Sequence, residues 1–208
     1  INDDATEPRT FWVAVWALSL TDEDLAAMVL RILRFAAGGT QARSGRLLSL
    51  ANTWVLRGPA SRNPAVKAAC LAALSDPDQA VVECACWVLG HPSLGDAEVA
   101  RRLFALLESG DDARAAAASL ALSRIEWRPS ETIPAILKQA RAERAARGPI
   151  VAPLSGFSEQ VLPHLSSLLD LLADPDPQVR LAIINAIGAC ERSEAFHAAN
   201  SAVAPALS

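Results

Sequence analysis

The chain has 208 residues, enough for one domain or one continuous array of small units, and 51% of them are hydrophobic. Tyr is absent and aromatic residues make up only 5%, a composition that disfavours β-sheets and predicts helices. The longest uninterrupted apolar run, 11–18, falls far short of the ~20 residues that a membrane-crossing helix requires. We therefore expect a soluble, all-α protein with no membrane partner.

Charge is unevenly distributed along the chain, although the net charge is only −4. Residues 1–24 sum to −5, residues 25–75 to +7 without a single acidic residue, and residues 76–208 to −6. The seven cations of the middle segment are Arg31, Arg34, Arg43, Arg46, Arg57, Arg62 and Lys67. The basic segment 25–75 is a candidate nucleic-acid contact, and ordinary solvated helix faces are the alternative.

The four cysteines are Cys70, Cys84, Cys86 and Cys190, and no two of them have CxxC spacing. Cys84 and Cys86 would point to opposite sides of a helix, which disfavours a disulfide or a shared metal ion. No secretory signal precedes them. We expect small buried hydrophobes in a reducing compartment, and hence a cytoplasmic protein.

Two sets of helices alternate along the chain. After an end helix near 8–19, the first set has apolar stripes that begin at Leu25, Val66, Val99, Ile133 and Leu162, and another end helix lies near 193–206. The last of these stripes comprises Leu162, Leu165, Leu169 and Leu172. Turn-forming clusters near 38–45, 58–64, 91–96 and 127–131 separate the segments.

The second set of helices carries an internal repeat. Residues 76–90 and 174–188 lie 98 residues apart and place apolar side chains at the same helical spacing. Asp78 and Asp176 are candidate N-caps, and Gly90 and Gly188 are candidates for a left-handed residue that ends each helix. The same stripe recurs at Ala113, Ala116, Ala117, Leu120 and Ala121, and at Leu48, Ala51, Asn52, Val55 and Leu56. The period is about 33 residues.

One copy of the repeat is degenerate. The periodic position at 148–156 contains two prolines and two glycines, which predict a short or broken helix. We expect a single domain over 1–208 with this degenerate repeat near 130–157. The chain begins at Ile1 rather than Met and ends on an apolar stretch, which is expected of a fragment.

The sequence Asp-Pro-Asp-Pro-Gln-Val-Arg-Leu-Ala-Ile-Ile-Asn-Ala-Ile-Gly at 174–188 resembles the HEAT repeat, particularly the short bacterial form also found in phycobilin lyase subunits. Residues 76–90 are the second-best match, although Val82 replaces the Arg that Arg114 and Arg180 retain. The resemblance implies an α-solenoid of about five to six stacked antiparallel helix pairs. First helices would line its convex side and second helices its concave side.

The positions that face away from the apolar stripe of the second helices are candidates for partner binding. They include Trp54 and Trp87, one period apart, together with Glu83, Ser119 and Asn185, and Arg46 and Arg57 lie near Trp54 in the chain. Large aromatic residues beside Arg are good anchors for a bound segment. The alternative is that both tryptophans fill gaps between repeats, with Arg57 lying over them.

Signs of catalysis are scarce. His91, His164 and His197 lack the His-Glu pairs of HEAT-like deoxyhypusine hydroxylases, and no HExxH, GxSxG or phosphate-binding loop occurs. The acidic pairs at 22–24 and 111–112 are placed to begin helices. We expect no cofactor and no metal ion, and the pattern favours a non-catalytic protein.

Three functions remain open. The first is a scaffold that binds a protein or peptide on the concave surface. The second is a nucleic-acid-binding protein similar to HEAT-like alkylpurine glycosylases, which would use the basic 25–75 segment and is opposed by the acidic remainder. The third is a bilin lyase or chaperone, which only the similarity of the repeats supports.

Overall fold

A computed structural model describes residues 64–142, 145 and 147–191, together with Ala27, Leu30, Arg31, Leu33 and Arg34. All regular structure in these residues is helical. The helices are α1 Pro64–Ala73, α2 Gln79–Leu89, α3 Ala97–Leu107, α4 Asp112–Arg124, α5 Pro129–Ala140, α6 Arg147–Val151, a 3-10 helix Ala152–His164, α7 Leu165–Leu171 and α8 Pro177–Glu191. The end helices predicted near 8–19 and 193–206 lie outside the described residues, as do Trp54, Arg46 and Arg57.

The helices form antiparallel pairs whose second members stand side by side. α1 packs against α2, α3 against α4, α5 against α6, and the 3-10 helix with α7 against α8. The second helices α2, α4, α6 and α8 contact one another in that order. Val88 in α2 is buried and Ile187 in α8 is half-buried against the core, as a stack of amphipathic helices requires. The predicted all-α, HEAT-like stack is confirmed for the described residues.

Aspartates set where the second helices begin. Asp78 accepts a hydrogen bond from the backbone N–H of Ala80, and Asp176 accepts one from that of Gln178. Asp111 caps α4 in the same way, so the acidic pair at 111–112 begins a helix as predicted. These carboxylates satisfy N–H groups that have no partner within the helix.

The two glycines predicted to end helices do not adopt a left-handed conformation. Gly90 follows α2 with φ −69°, and Gly188 lies inside α8, which continues to Glu191. A Cβ atom at Gly90 would lie 3.0 Å from the Cα of Ala121 in α4. The prediction of left-handed caps is therefore wrong, and Gly90 is suited to a close approach of two helices.

The apolar stripe of α4 also differs from the prediction. Of the predicted stripe, Ala121 is buried, Ala116 and Ala117 are half-buried, and Ala113 and Leu120 are exposed. The other buried residues are Ala115, Ala118, Ser119, Leu122 and Ser123. The true stripe lies two residues later than the predicted one. Because α4 is rich in Ala on every side, its hydrophobicity hardly distinguishes one face from another.

The degenerate copy is a short helix followed by a 3-10 helix. α6 has five residues, and Ser158 in the 3-10 helix has φ 45° and ψ −123°. The segment is nevertheless tied to its neighbours, because the Ser119 hydroxyl donates to the Ile150 carbonyl and the Cys190 thiol donates to the Ser158 carbonyl. α6 thus keeps its place in the row between α4 and α8.

The stripe predicted to begin at Leu25 lies outside the described residues, and the other stripes of the first helices fit the prediction except at the last one. Val66, Ala69, Cys70 and Ala73 are buried in α1, and Ile133, Ile136, Leu137 and Ala140 are buried in α5. In α7, by contrast, Leu165 and Leu169 are exposed.

Candidate functional site

The outward sides of α2, α4 and α8, opposite their buried stripes, form the surface that we call the second-helix face. Its members are Glu83 and Trp87 in α2, Ala117, Leu120 and Arg124 in α4, and Leu181 and Asn185 in α8. Because these helices belong to one row, their outward sides point in a common direction. The face therefore brings together side chains that are far apart in the sequence.

Trp87 is the aromatic side chain of this face. Its ring is half-buried against the core, and the guanidinium carbon of Arg124 lies 4.9 Å from the ring centroid. Arg124 Nη1 also donates to the Trp87 carbonyl at 3.2 Å. One arginine of α4 thus holds an indole of α2 in place through a cation–π contact and a hydrogen bond.

Arg124 is not among the site residues predicted from the sequence. The alternative interpretation of the pattern placed Arg57 over the tryptophans, and Arg57 lies outside the described residues. The spacing of the two residues could have predicted this contact. Arg124 follows Trp87 by 37 residues, which is one period plus about one helical turn and places it near Trp87 on the neighbouring second helix. Trp54 is outside the described residues as well, so the expected pair of stacked tryptophans stays a prediction.

Two further site residues are exposed as expected. Glu83 lies on the outward side of α2, and its carboxylate accepts a hydrogen bond from the Gln79 amide at 3.1 Å. Asn185 is exposed on α8 next to Leu181 and Ile184, which are also exposed. The outward side of α8 therefore has a polar group within an apolar surface.

Ser119 is a correction to the predicted site. It is fully buried, and its hydroxyl donates to the Ile150 carbonyl at 2.6 Å. The residue was placed on the open surface because the stripe of α4 was positioned two residues too early. Its hydroxyl connects α4 to α6 inside the core, so Ser119 cannot contact a partner on the second-helix face.

His91 follows the end of α2, close enough to Arg124 for that charge to act on it. Its Nδ1 lies 2.8 Å from the Ser93 hydroxyl and accepts from the Ser93 backbone N–H at 3.2 Å. Burial lowers the pKa of His91, and the positive charge of Arg124 lowers it further. The imidazole is therefore neutral at pH 7, and His91 adds no charge to the surface.

Part of the basic 25–75 segment is paired with acids from later in the chain. Arg34 forms an ion pair with Asp76 at 3.3 Å, and Lys67 forms one with Asp96. Both contacts connect neighbouring helices of the stack. They reduce the positive charge that these two residues offer to a nucleic acid.

The described residues contain no group of three His, Cys, Asp or Glu side chains placed to hold a metal ion. The four cysteines are buried, and burial raises the pKa of the thiols of Cys70 and Cys86 to about 12 and that of Cys84 to about 11. Within the part of the chain that the structure describes, no helix has the length and hydropathy to cross a membrane.

The HEAT repeat family model matches residues 164–191. This range contains α7 and α8, which pack as one helix pair. No curated protein matches the chain. Residues 164–191 are therefore similar to a HEAT repeat, and the residues that the structure describes form a HEAT-like stack of helix pairs.

Proposed function

We propose that the chain is a non-catalytic scaffold that binds a protein or peptide segment along the second-helix face. The observation that carries this proposal is the exposure of two large aliphatic side chains there, Leu120 at 45% and Leu181 at 51%. Scattered exposed leucines are ordinary, but these two lie on helices of one row that also presents Trp87. This row would form the concave side of the array, as the resemblance to HEAT repeats implies.

The chemistry of the face suits a segment that is apolar with polar groups at its margins. Leu120 and Leu181 provide surface to desolvate, and Trp87 provides a large side chain already held in one position by Arg124. An anchor that is fixed before binding loses little conformational freedom on association. Glu83 and Asn185 add exposed hydrogen-bonding groups to this surface. Cytoplasmic location is part of this proposal, because buried thiols suit a reducing compartment.

The test is a display screen of random peptides against the whole chain, followed by variants of the face. Leu120→Asp and Leu181→Asp should each weaken the binding of the selected peptides at least about tenfold. In each variant a carboxylate replaces apolar surface that the bound peptide would cover. Ala105→Asp is the matched control, since Ala105 is exposed on α3 and lies away from the face.

Equal binding by all three variants would contradict the proposal. So would tight binding of duplex DNA at 150 mM salt with an affinity that falls steeply as salt rises, because that behaviour indicates phosphate contacts. Circular dichroism of each variant separates a lost contact from a lost fold.

A further inference from the structure

Arg124 is a half-buried cation on the second-helix face. Its guanidinium lies over the Trp87 ring, and Nη1 donates to the Trp87 carbonyl. Among the residues that the structure describes, no carboxylate forms an ion pair with Arg124, and its Nε and Nη2 make no hydrogen bond. These two nitrogens form one edge of the guanidinium, which is the edge that can donate to both oxygens of a carboxylate.

Arg128 also lies over a tryptophan, but it has an acidic partner. Its guanidinium carbon is 5.3 Å from the centroid of the Trp127 ring, and its Nη1 lies 2.9 Å from the Glu131 carboxylate. Both side chains of that ion pair are more than half exposed. Arg124 is more buried, and burial lowers its pKa, although an arginine stays charged at neutral pH. The described residues thus leave a partly desolvated positive charge at Arg124 without a counter-ion.

Arg124 lies beside an apolar side chain of the same face. Leu120 precedes it by four residues on α4, so both residues are on one side of the helix, about 6 Å apart along its axis. Leu120 is exposed. One short segment can therefore cover an apolar group and reach the cation at the same time.

Acidic side chains share this part of the surface with Arg124. Glu83, one turn before Trp87 on α2, is exposed, and so is Glu126, two residues after Arg124. His91 is neutral at pH 7 and adds no positive charge. A single cation among acids suits one carboxylate, whereas a row of phosphates requires several cations.

We propose that the segment bound on the second-helix face carries an Asp or Glu side chain that pairs with Arg124, beside a large apolar side chain that covers Leu120. This pairing rests on the proposed scaffold function and specifies its ligand. A carboxylate that accepts two bonds from one guanidinium gains orientation as well as affinity. The distance from Leu120 to Arg124 corresponds to about two residues of an extended segment, so the acid lies about two positions from the apolar residue.

Peptides from the display screen are the probes. In those that bind, Asp or Glu should be enriched about two positions from a large apolar residue. Gln in place of the Glu of one selected peptide should weaken its binding to the whole chain at least about tenfold, because a charge-assisted pair is lost. Arg124→Gln should weaken the acidic peptide by a similar factor and change the binding of the amide peptide little, as a double-mutant cycle requires.

Arg128→Gln is the matched control, because it removes an arginine over a tryptophan that already has an acidic partner, and it should leave binding unchanged. Since Arg124 also holds Trp87, an exchange of charges separates pairing from positioning. Arg124→Glu should bind a peptide with Lys in place of the acid at least about threefold more tightly than the acidic peptide. Circular dichroism checks the fold of each variant.

The His91 imidazole gives a readout within the complex. Burial lowers its pKa, and the Arg124 charge lowers it further. A carboxylate at Arg124 offsets that charge, so the pKa of His91 should be higher with the acidic peptide bound than with the amide peptide bound. NMR titration of the two complexes measures the difference, and His91→Gln identifies the signal. Equal pKa values in the two complexes would contradict the pairing.

The outcomes separate the pairing from the function on which it rests. Peptides that lose affinity for Leu120→Asp, but bind equally well with Glu or Gln and bind Arg124→Gln as before, would overturn the pairing and leave the scaffold in place. A screen that selects no peptide would overturn both. Salt-sensitive binding of duplex DNA that is lost in Arg124→Gln would assign the cation to a phosphate instead.

Discussion

Arg147 and Asp174 make the most enclosed ion pair among the described residues. The two hydrogen bonds from the guanidinium to the carboxylate are each 2.8 Å, and the side chains are only 17% and 8% exposed. Arg147 also donates to the Ala140 carbonyl, and Asp174 accepts from the Asp176 backbone N–H. A single arginine thus joins the end of α5, the start of α6 and the turn before α8.

Arg147→Ala should lower the free energy of unfolding by about 3 kcal/mol, because it leaves the Asp174 carboxylate buried without its cation. Arg101→Ala removes an exposed partner of Glu98 and should leave the urea midpoint nearly unchanged, because solvent screens this pair. Urea unfolding at pH 7 measures both. Equal effects would show that the Arg147 pair contributes no more than a surface contact.

The buried cysteines should be inert in the native protein. Burial raises the pKa of Cys70, Cys84 and Cys86 well above neutrality, so few thiolates exist at pH 8 and reagents cannot reach them. Alkylation with iodoacetamide should be at least about a hundredfold slower than in an unfolded chain. Ala105→Cys provides an exposed thiol as the internal standard. Rapid modification of Cys84 in the native chain would contradict its placement.

At the scale of the helix, the buried side of an element can be predicted when its apolar and polar residues lie on clearly different sides. α8 alternates large aliphatic residues with Arg180 and Asn185, so its buried side could be identified from spacing alone. α4 is mostly Ala, and its orientation depends on Asp111 and on packing that the sequence does not display. This difference explains why Asn185 was placed correctly on the surface and Ser119 was not.

Glycines gave a second kind of difference between sequence and structure. A glycine near a helix end suggests a left-handed cap, but the same residue also allows two backbones to approach. Only the contacts around the glycine in the structure show whether it ends a helix in a left-handed conformation or lets two helices approach. Gly148 illustrates the second, because a Cβ atom there would lie 2.4 Å from the Cβ of Gln178 in α8.

Gly148→Ala should therefore destabilise the protein by about 1–3 kcal/mol, since α6 and α8 would have to separate. Gly156→Ala is the matched substitution in the adjoining 3-10 helix, where the nearest atoms lie 3.8 Å away in Ser123. It should be neutral or slightly stabilising, because Ala restricts the unfolded chain. Thermal unfolding of the two variants compares them. Similar midpoints would refute the close approach at Gly148.

At the scale of the molecule, side chains connect each helix pair to the next. Lys67 of α1 reaches Asp96 before α3, Arg114 of α4 donates to the Asp76 carbonyl before α2, and Lys138 of α5 reaches Glu108 after α3. The period of 33 residues predicted which helices would be neighbours. It could not predict these connections, because long polar side chains follow no apolar pattern.

The Lys67–Asp96 connection should make stability depend on pH. The hydrogen bond from Lys67, helped by that from the Val99 backbone N–H, lowers the pKa of Asp96. A carboxyl group with a lowered folded-state pKa stabilises the protein above its unfolded pKa of about 4, and this contribution is lost as pH falls through the folded value.

Asp96→Asn should lower the free energy of unfolding at pH 7 by no more than about 1 kcal/mol, because the pair is partly exposed and Asn can still cap α3. The difference from the unsubstituted chain should shrink as pH is lowered below 4, and urea unfolding at pH 7 and pH 3 measures it. A difference that stays constant would assign the effect to something other than the charge.

The glycine at position 90 makes the contact between α2 and α4 important for the orientation of the helices that follow. α2 and α4 meet there with only the small side chain of Ala121 beside the glycine, so a methyl group added at Gly90 would push the two helices apart at one end of their contact. In a linear array, a small rotation at one junction carries every later unit with it. A single substitution at Gly90 would thus shift the position of α8 relative to Trp87. The distance that a ligand must cover between Trp87 and α8 would change, although no side chain at either place would be altered.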